Sequence, residues 1–302
     1  MAKLSSSGHK LGQLVGDWWE EYVVLPLLME IANDLDLYLD HRFRKRKCRS
    51  GTKIIWKDDS GNQVDYDFVL ELEGSDDKTG VPVGFLEVFW RRGSRHSKDK
   101  VRDDTGKLRP MRSTYPTARY LGIAACGSLT VPAREYVRYN DIDLFYVSKN
   151  KIIQAFKENG LTMEYPDRLG EEKKSKLAQD FDNKFDSDMK KQVSNSLLKI
   201  LGKPNVASYK NNIISRLTSM PLEIRFQEAS KSEHKSFDSI TKATEFLKAP
   251  TFNYSTGDES YCYEISYSDG YEFSREVGSL TKLRQLHKEL VRLINHMDKI
   301  FE

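Results

Sequence analysis

The chain has few cysteines, and their arrangement argues against two common kinds of stabilising site. Cys48, Cys126 and Cys262 are odd in number and far apart, which disfavours a disulfide framework and a zinc site. The six histidines are scattered too, so a histidine-based metal centre finds no support. Free thiols of this kind suit a reducing compartment, and we expect a cytoplasmic protein.

Long apolar runs are also absent. No stretch approaches the roughly 20 apolar residues that a transmembrane helix needs. The amino-terminal residues are polar and serine-rich, unlike a secretory signal. We therefore expect no membrane partner, and we expect no nucleotide cofactor. The 302 residues, 38% hydrophobic and 31% charged, fit one large globular domain or two smaller ones.

Two strand-like segments each carry an acid. Asp67 lies in an alternating segment, and Glu87 lies in a second apolar segment twenty positions later. Adjacent strands of one hairpin would bring the two carboxylates together. Paired carboxylates among Lys and Arg are what a Mg²⁺-dependent phosphodiesterase needs. Asp65 shares the face of Asp67 in this alternation and is the alternative metal ligand.

Positive charge is concentrated near these acids, although the net charge is only +3. Residues 42–49 contain six Lys and Arg and no acid, and residues 91–112 contain nine against three Asp. Two basic clusters beside the same carboxylates resemble a phosphate-binding footprint. A solvated basic face is the alternative for each cluster by itself. The candidate DNA contacts are Arg44, Lys45, Arg46, Lys47, Arg91, Arg92, Arg95 and His96.

The order of predicted elements indicates an α/β fold in which helices flank a mixed central sheet. The predicted elements are a helix at 12–41 with a kink near Pro26, strands at 53–72 and 83–90, a helix from 94, a strand at 120–125, a helix at 131–139, a strand at 142–147 and a helix at 151–159. We divide the chain into a core at 11–165, a charged helical connector at 166–204 and a smaller α+β module at 205–302.

The carboxy-terminal module has its own strand and helix signals. Asp269-Gly270 predicts a tight hairpin turn between two strands. A final helix at 280–301 carries leucines at helical spacing, a stripe that is more often intrachain core than a dimer seam. We expect this module to contribute specificity or assembly and no catalytic residue.

The ordered set of motifs resembles the PD-(D/E)XK nuclease superfamily, to which most restriction endonucleases belong. Asp67, followed by apolar residues, stands where that family has its first acid, and Glu87 stands where it has the second. The segments 121–130, 131–136 and 142–147 are similar to the strand, helix and strand that follow the site in Mrr-like restriction nucleases. The resemblance covers about half the chain, over residues 12–156.

One position departs from the family pattern. The family has a lysine two residues after the second acid, and this chain has Phe89 there. A cation from elsewhere is the explanation that we favour, with Lys98 or Lys100 on the next helix as first candidates and Arg91 as third. Loss of catalysis with binding retained, or a different register of the motif, would also account for Phe89.

The resemblance implies a Mg²⁺-dependent endodeoxyribonuclease, most simply a type II restriction enzyme that leaves 5′-phosphate ends. Asp67 and Glu87 would hold the metal, and Lys98 or Lys100 would assist. Glu20 or Glu21 would project into the site as helix acids do in this superfamily, with a solvent-facing position as the alternative for both. The expected partners are double-stranded DNA and a second copy of the chain, because a twofold dimer matches a palindromic site. A non-catalytic DNA-binding subunit and a structure-specific repair nuclease are the alternatives.

Overall fold

The computed structural model describes residues 7–166, 168–228, 233–249 and 260–301. The chain forms two compact units whose segments alternate along the sequence. Unit 1 comprises residues 1–31, 86–105 and 122–211, and unit 2 comprises residues 32–85, 106–121 and 212–302. This division interleaves, whereas the sequence suggested three consecutive domains.

The amino-terminal helix is interrupted and shorter than the sequence suggested. It consists of α1 (Ser7–Trp18), a π-helical segment (Trp19–Val24) and α2 (Leu25–Asp34). The amide of Leu25 donates to the carbonyl oxygen of Glu20, five residues back. Pro26 follows at once, and since proline lacks an N–H group, a local widening of the helix accommodates it.

The predicted helix at 12–41 overshoots at its carboxyl end. Asp36 has a φ of 47° and leaves the helical conformation, and residues Tyr38–His41 form strand β1 instead. The alternation of Leu35, Leu37 and Leu39 is the period-two signal of a strand, and the prediction missed it by continuing the helical spacing too far.

The sheet prediction is confirmed at the level of fold class. The strands of the central sheet are β1, β4 (Phe68–Leu72), β5 (Val81–Arg91), β6 (Tyr120–Gly127) and β7 (Asp143–Ser148), adjacent in the order β1-β4-β5-β6-β7. β1 pairs with β4 antiparallel and β6 pairs with β7 parallel, so the sheet is mixed. A separate hairpin joins β2 (Ile54–Lys57) to β3 (Gln63–Tyr66). The boundaries between the two units fall inside β5 and β6.

Helices surround the strands in the expected sequence. After β5 comes α3 (Ser97–Thr114), α4 (Val131–Tyr139) connects β6 to β7, and α5 (Lys149–Glu158) follows β7. The charged region beyond is helical as predicted, with α6 (Glu171–Lys184) and α7 (Ser187–Leu201). A further helix, α8 (Lys203–Leu217), extends past the predicted connector and was not foreseen. Within the part of the chain that the structure describes, no helix is long and apolar enough to cross a membrane.

The carboxy-terminal part of unit 2 contains a four-stranded antiparallel sheet. Its strands are β8 (Pro221–Glu228), β9 (His234–Phe237), β10 (Tyr261–Tyr267) and β11 (Glu272–Val277), in the order β11-β10-β8-β9. Two helices accompany it, α9 (Ile240–Lys248) and α10 (Leu280–Phe301). The leucine stripe of α10 is buried in the core of this unit, so the prediction of intrachain core is confirmed over that of a dimer seam. The sequence did not reveal the short polar strand β9, nor α9.

The carboxy-terminal sheet is tied to the segment between α3 and β6, which belongs to the same unit. The hydroxyl of Tyr267 donates to the carbonyl oxygen of Pro116 at 2.8 Å. The guanidinium of Arg119 donates to Asp269 at 2.9 Å and lies over the ring of Tyr267. Deleting the module would therefore remove part of the interior of unit 2, and its role is better tested by point substitutions.

A buried histidine gives unit 2 a pH-dependent stability. His287 on α10 contacts the hydroxyl of Tyr263 through Nδ1 at 3.0 Å and that of Thr244 through Nε2 at 2.9 Å. Burial lowers the pKa of His287 from 6.5 to about 4. Between these values the unfolded imidazole binds a proton that the folded one does not, so acid favours unfolding.

We expect the contribution of His287 to lower the free energy of unfolding by about 2 kcal/mol when the pH falls from 7 to 5. Urea unfolding of the wild type and of His287→Gln at both pH values measures it. The variant should lose less stability on acidification than the wild type. An identical pH dependence in the two proteins would show that His287 contributes nothing.

Candidate active site

Glu87 lies in the second half of β5, within unit 1, and is 2% exposed. A buried carboxylate on a central strand is costly unless cations or donors accompany it. The end of this strand is closely approached by the end of β6. Gly127 has a φ of 104°, and a Cβ there would lie 2.0 Å from the carbonyl oxygen of Arg91. The amide of Ser128 donates to that same oxygen at 2.7 Å.

Glu20 lies in the π-helical segment of unit 1 and is also buried. The two tryptophans before it each donate a hydrogen bond to another element of unit 1. Trp18 donates through Nε1 to Ser194 at 2.9 Å, and Trp19 donates through Nε1 to the carbonyl oxygen of Ala124 on β6 at 3.1 Å. Single π turns in α-helices occur frequently at functional sites. Glu21 is half-buried, so burial distinguishes Glu20 as the candidate of the pair.

Lys100 is placed against Phe89, the strand residue at the position where the resembling family has a lysine. Its Nζ atom lies 5.3 Å from the ring centroid of Phe89 on β5. The same atom lies 2.6 Å from Oδ1 of Asp104, one turn further along α3. Asp104 is 1% exposed, and the Lys100 side chain is 28% exposed. Because alternate residues of a strand share a face, Phe89 lies on the face of β5 that carries Glu87.

The sequence analysis did not single out Asp104. The available signal was the spacing of four between a lysine and an acid on one helix.

The other basic residues near β5 differ in their exposure. Lys98 is exposed on α3, away from the buried face of that helix, and Arg95 and His96 are exposed in the turn before it. His96 has a φ of 60° and contacts Asp99 through Nδ1 at 3.1 Å. Arg91 and Arg92 are half-buried. Arg92 lies over the ring of Tyr165 and donates to its carbonyl oxygen, so it also serves packing.

Asp67 occupies a bend between β3 and β4 in unit 2 and is half-buried. Asp65, the alternative ligand, lies on β3 and forms ion pairs with Lys53 and Lys107. Burial tends to raise the pKa of Asp65, but the two lysines outweigh it and the pKa is lowered. Glu87 belongs to the other unit, and its sharing of one cation with Asp67 stays a prediction.

Arg46 requires a correction among the candidate DNA contacts. Its side chain is 2% exposed and forms a bidentate pair with Glu71, with a further bond to Asp40. Its remaining donors reach the carbonyl oxygens of Ser75 and Lys78. All of these partners lie in unit 2, and the guanidinium has no donor left for a phosphate. A basic run in the sequence does not reveal that one of its members is turned inward.

The neighbours of Arg46 in the run remain available at the surface. Arg44, Lys45 and Lys47 are exposed. Arg44 pairs with Asp76 and Lys47 with Asp77, and exposed pairs of this kind exchange easily with other partners. These three residues stay candidates for phosphate contacts.

We expect Arg46→Met to destabilise the protein by about 3–5 kcal/mol, because it leaves Glu71 and Asp40 buried without their cation. Lys47→Met is the matched control. It removes an exposed pair one residue away and should cost less than about 1 kcal/mol. Urea unfolding of both variants decides the matter, and similar losses would show that the buried network is unimportant.

No family model, curated protein or solved structure matches this chain. The resemblance seen in the motifs therefore rests on the residues themselves and on the order of the elements.

The carboxylates of the site have the chemistry that Mg²⁺ prefers. Among the residues that the structure describes, no group of three or more His, Cys, Asp and Glu side chains is placed to hold a metal ion. Mg²⁺ does not need such a group, since it commonly takes one or two carboxylates and completes its shell with water and phosphate oxygens. A buried glutamate on a strand whose Phe89 contacts Lys100 is compatible with that mode of binding.

Proposed function

We propose that the chain is a Mg²⁺-dependent endodeoxyribonuclease that cuts double-stranded DNA at a specific sequence, as type II restriction enzymes do. The observation that carries this proposal is the Lys100 ammonium, which lies against Phe89 on the Glu87 face of β5. In this proposal, the Lys100 ammonium would supply the cation that the family motif has on the strand, where this chain has Phe89. The order of helices and strands and the mixed sheet support the same assignment.

In this proposal each residue has a distinct role. Glu87 and Asp67 hold Mg²⁺, which lowers the pKa of a bound water and stabilises negative charge on the scissile phosphate. Lys100 balances the charge that develops on that phosphate and orients the attacking water. Arg91 and Arg95 present positive charge to the DNA backbone, together with Arg44, Lys45 and Lys47, and His96 contributes a hydrogen-bonding side chain beside them. Glu20 contributes a further carboxylate from the π-helical segment.

Assembly follows from the expected symmetry of the substrate. We propose a homodimer, since a twofold axis in the protein would match a palindromic site. Analytical ultracentrifugation with and without DNA measures the stoichiometry. A monomer in both conditions would remove this part of the proposal.

The experiment that tests the function compares several DNA substrates. Phage DNA, supercoiled plasmid, a forked duplex and a single strand are each incubated with the protein and Mg²⁺, and fragment ends are sequenced. The proposal predicts discrete bands from the duplexes, with one recurring sequence at the ends and 5′-phosphates. Binding without cutting would indicate a non-catalytic subunit. Cutting confined to forked or single-stranded DNA would indicate a structure-specific nuclease.

A further inference from the structure

The ammonium of Lys100 is held by two groups on two different elements. Asp104 lies one helical turn away on α3, with Oδ1 at 2.6 Å from Nζ. Phe89 lies on β5, with its ring centroid at 5.3 Å. Asp104 and Phe89 are both buried, and all three residues belong to unit 1.

The burial of Asp104 distinguishes this pair from the other ion pairs at the start of α3. His96 and Arg102 both contact Asp99, and all three of those side chains are more than half exposed. Pairs in water hold their members loosely. A carboxylate that is 1% exposed needs its counter-ion, so Asp104 restrains Lys100 much more strongly.

The contact with Phe89 determines which way the Lys100 side chain points. A lysine has a long and flexible side chain, and an ion pair along one helix would leave it several orientations. The face of an aromatic ring attracts a cation. Phe89 therefore draws the ammonium of Lys100 toward β5, on the face that also carries Glu87.

We propose that Asp104 and Phe89 are positioning residues, which together hold the Lys100 ammonium where the resembling family has its strand lysine. This inference rests on the proposed function, because it assigns the two residues to the same site. In this proposal, the ring of Phe89 helps to hold the Lys100 ammonium in place of a lysine on the strand.

A double-mutant cycle tests Asp104. Asp104→Asn keeps the shape of the side chain and removes its charge, and we expect single-turnover cleavage to slow at least about tenfold with DNA affinity unchanged. In a Lys100→Ala background the same substitution should cause no further loss, since the residue that it positions is gone. Equal losses in both backgrounds would overturn the inference and leave Asp104 a merely structural residue. Asp104→Glu should recover part of the rate.

A lysine transplant tests Phe89. Phe89→Lys in the Lys100→Ala background puts the cation back on the strand, and we expect the double variant to cut at least about tenfold faster than Lys100→Ala alone. Phe89→Met with Lys100→Ala is the matched control, with a long uncharged side chain and no recovery expected. Equal rates for the two double variants, with thermal melting showing both folded, would contradict the inference. If the transplant variant melts early, the Asp104 cycle decides alone.

A measurement without cleavage separates this inference from the proposed function. The ¹H–¹⁵N signal of a lysine ammonium is observable by NMR when the group is held and protected from fast exchange. We expect such a signal from Lys100 in the free protein and its loss in Asp104→Asn. A protein that shows this signal and cuts no DNA would refute the function and keep the positioning. Absence of the signal in the wild type would refute the positioning whatever the protein cuts.

Discussion

Replacing Glu87 by Gln is expected to abolish Mg²⁺-dependent cleavage, with a rate loss of about 10³-fold or more. The substitution removes a proposed metal ligand, and with it, on this proposal, several kcal/mol of stabilisation of the charge that develops on the scissile phosphate. DNA affinity should stay equal or increase, because the repulsion between a carboxylate and phosphate is relieved. Single-turnover cleavage of a plasmid and fluorescence anisotropy of a labelled duplex measure the two quantities.

Two matched variants make this test specific. Glu135→Gln applies the same chemical change to an exposed residue of α4 and should leave cleavage near the wild-type rate. The pair Asp67→Asn and Asp65→Asn separates the two candidate ligands of unit 2, and the Asp67 change should cause the far greater loss. Cleavage by Glu87→Gln at near the wild-type rate would show that the site lies elsewhere.

Lys100→Ala is expected to slow cleavage by about 10²–10³-fold with little change in DNA affinity, which is the usual effect of removing one preorganised cation or donor from a transition state. Lys98 was an equal candidate in the sequence, but it is exposed on α3, whereas Lys100 contacts Phe89. The loss from Lys100→Ala should therefore exceed that from Lys98→Ala at least tenfold. The same plasmid assay compares them, and the reverse order would move the proposed role to Lys98 or to Arg91.

Most of the sheet could be predicted, because its strands carry strong periodic or continuous apolar signals. β5 and β6 are buried along nearly their whole lengths, and the sequence placed them within a few residues of their observed ends. The helices α4 and α5 were equally clear. Their apolar residues recur at helical spacing, and Thr130 caps α4 by accepting from the amide of Ala133.

The failures have physical causes that composition cannot reveal. Arg46 looked like its exposed neighbours, and only the fold brings Glu71 and Asp40 to it. The sequence indicated an irregularity near Pro26, but it did not reveal that this takes the form of a π-helical segment in the preceding turn. Strand β9 is short and polar and depends on pairing with β8.

The candidate site was predicted in part. The motif singled out Asp67 and Glu87 as candidates. The choice between Lys98 and Lys100 required the position of α3 relative to β5. Asp104 and the role of Phe89 emerged only from the contacts of Lys100. A cation supplied from another element would be invisible in a sequence motif, since its distance along the chain says little about its distance in space.

The central claim, that this chain hydrolyses duplex DNA with Mg²⁺, is tested most directly by one plasmid digestion. Supercoiled plasmid is incubated with the purified protein in Mg²⁺ and, in parallel, in EDTA, and the products are separated on a gel. The account predicts linear fragments of defined size in Mg²⁺ and intact supercoiled plasmid in EDTA. The plasmid should carry many different sequences. If it stays intact in Mg²⁺, or if it is cut equally in EDTA, the claim of Mg²⁺-dependent hydrolysis is contradicted.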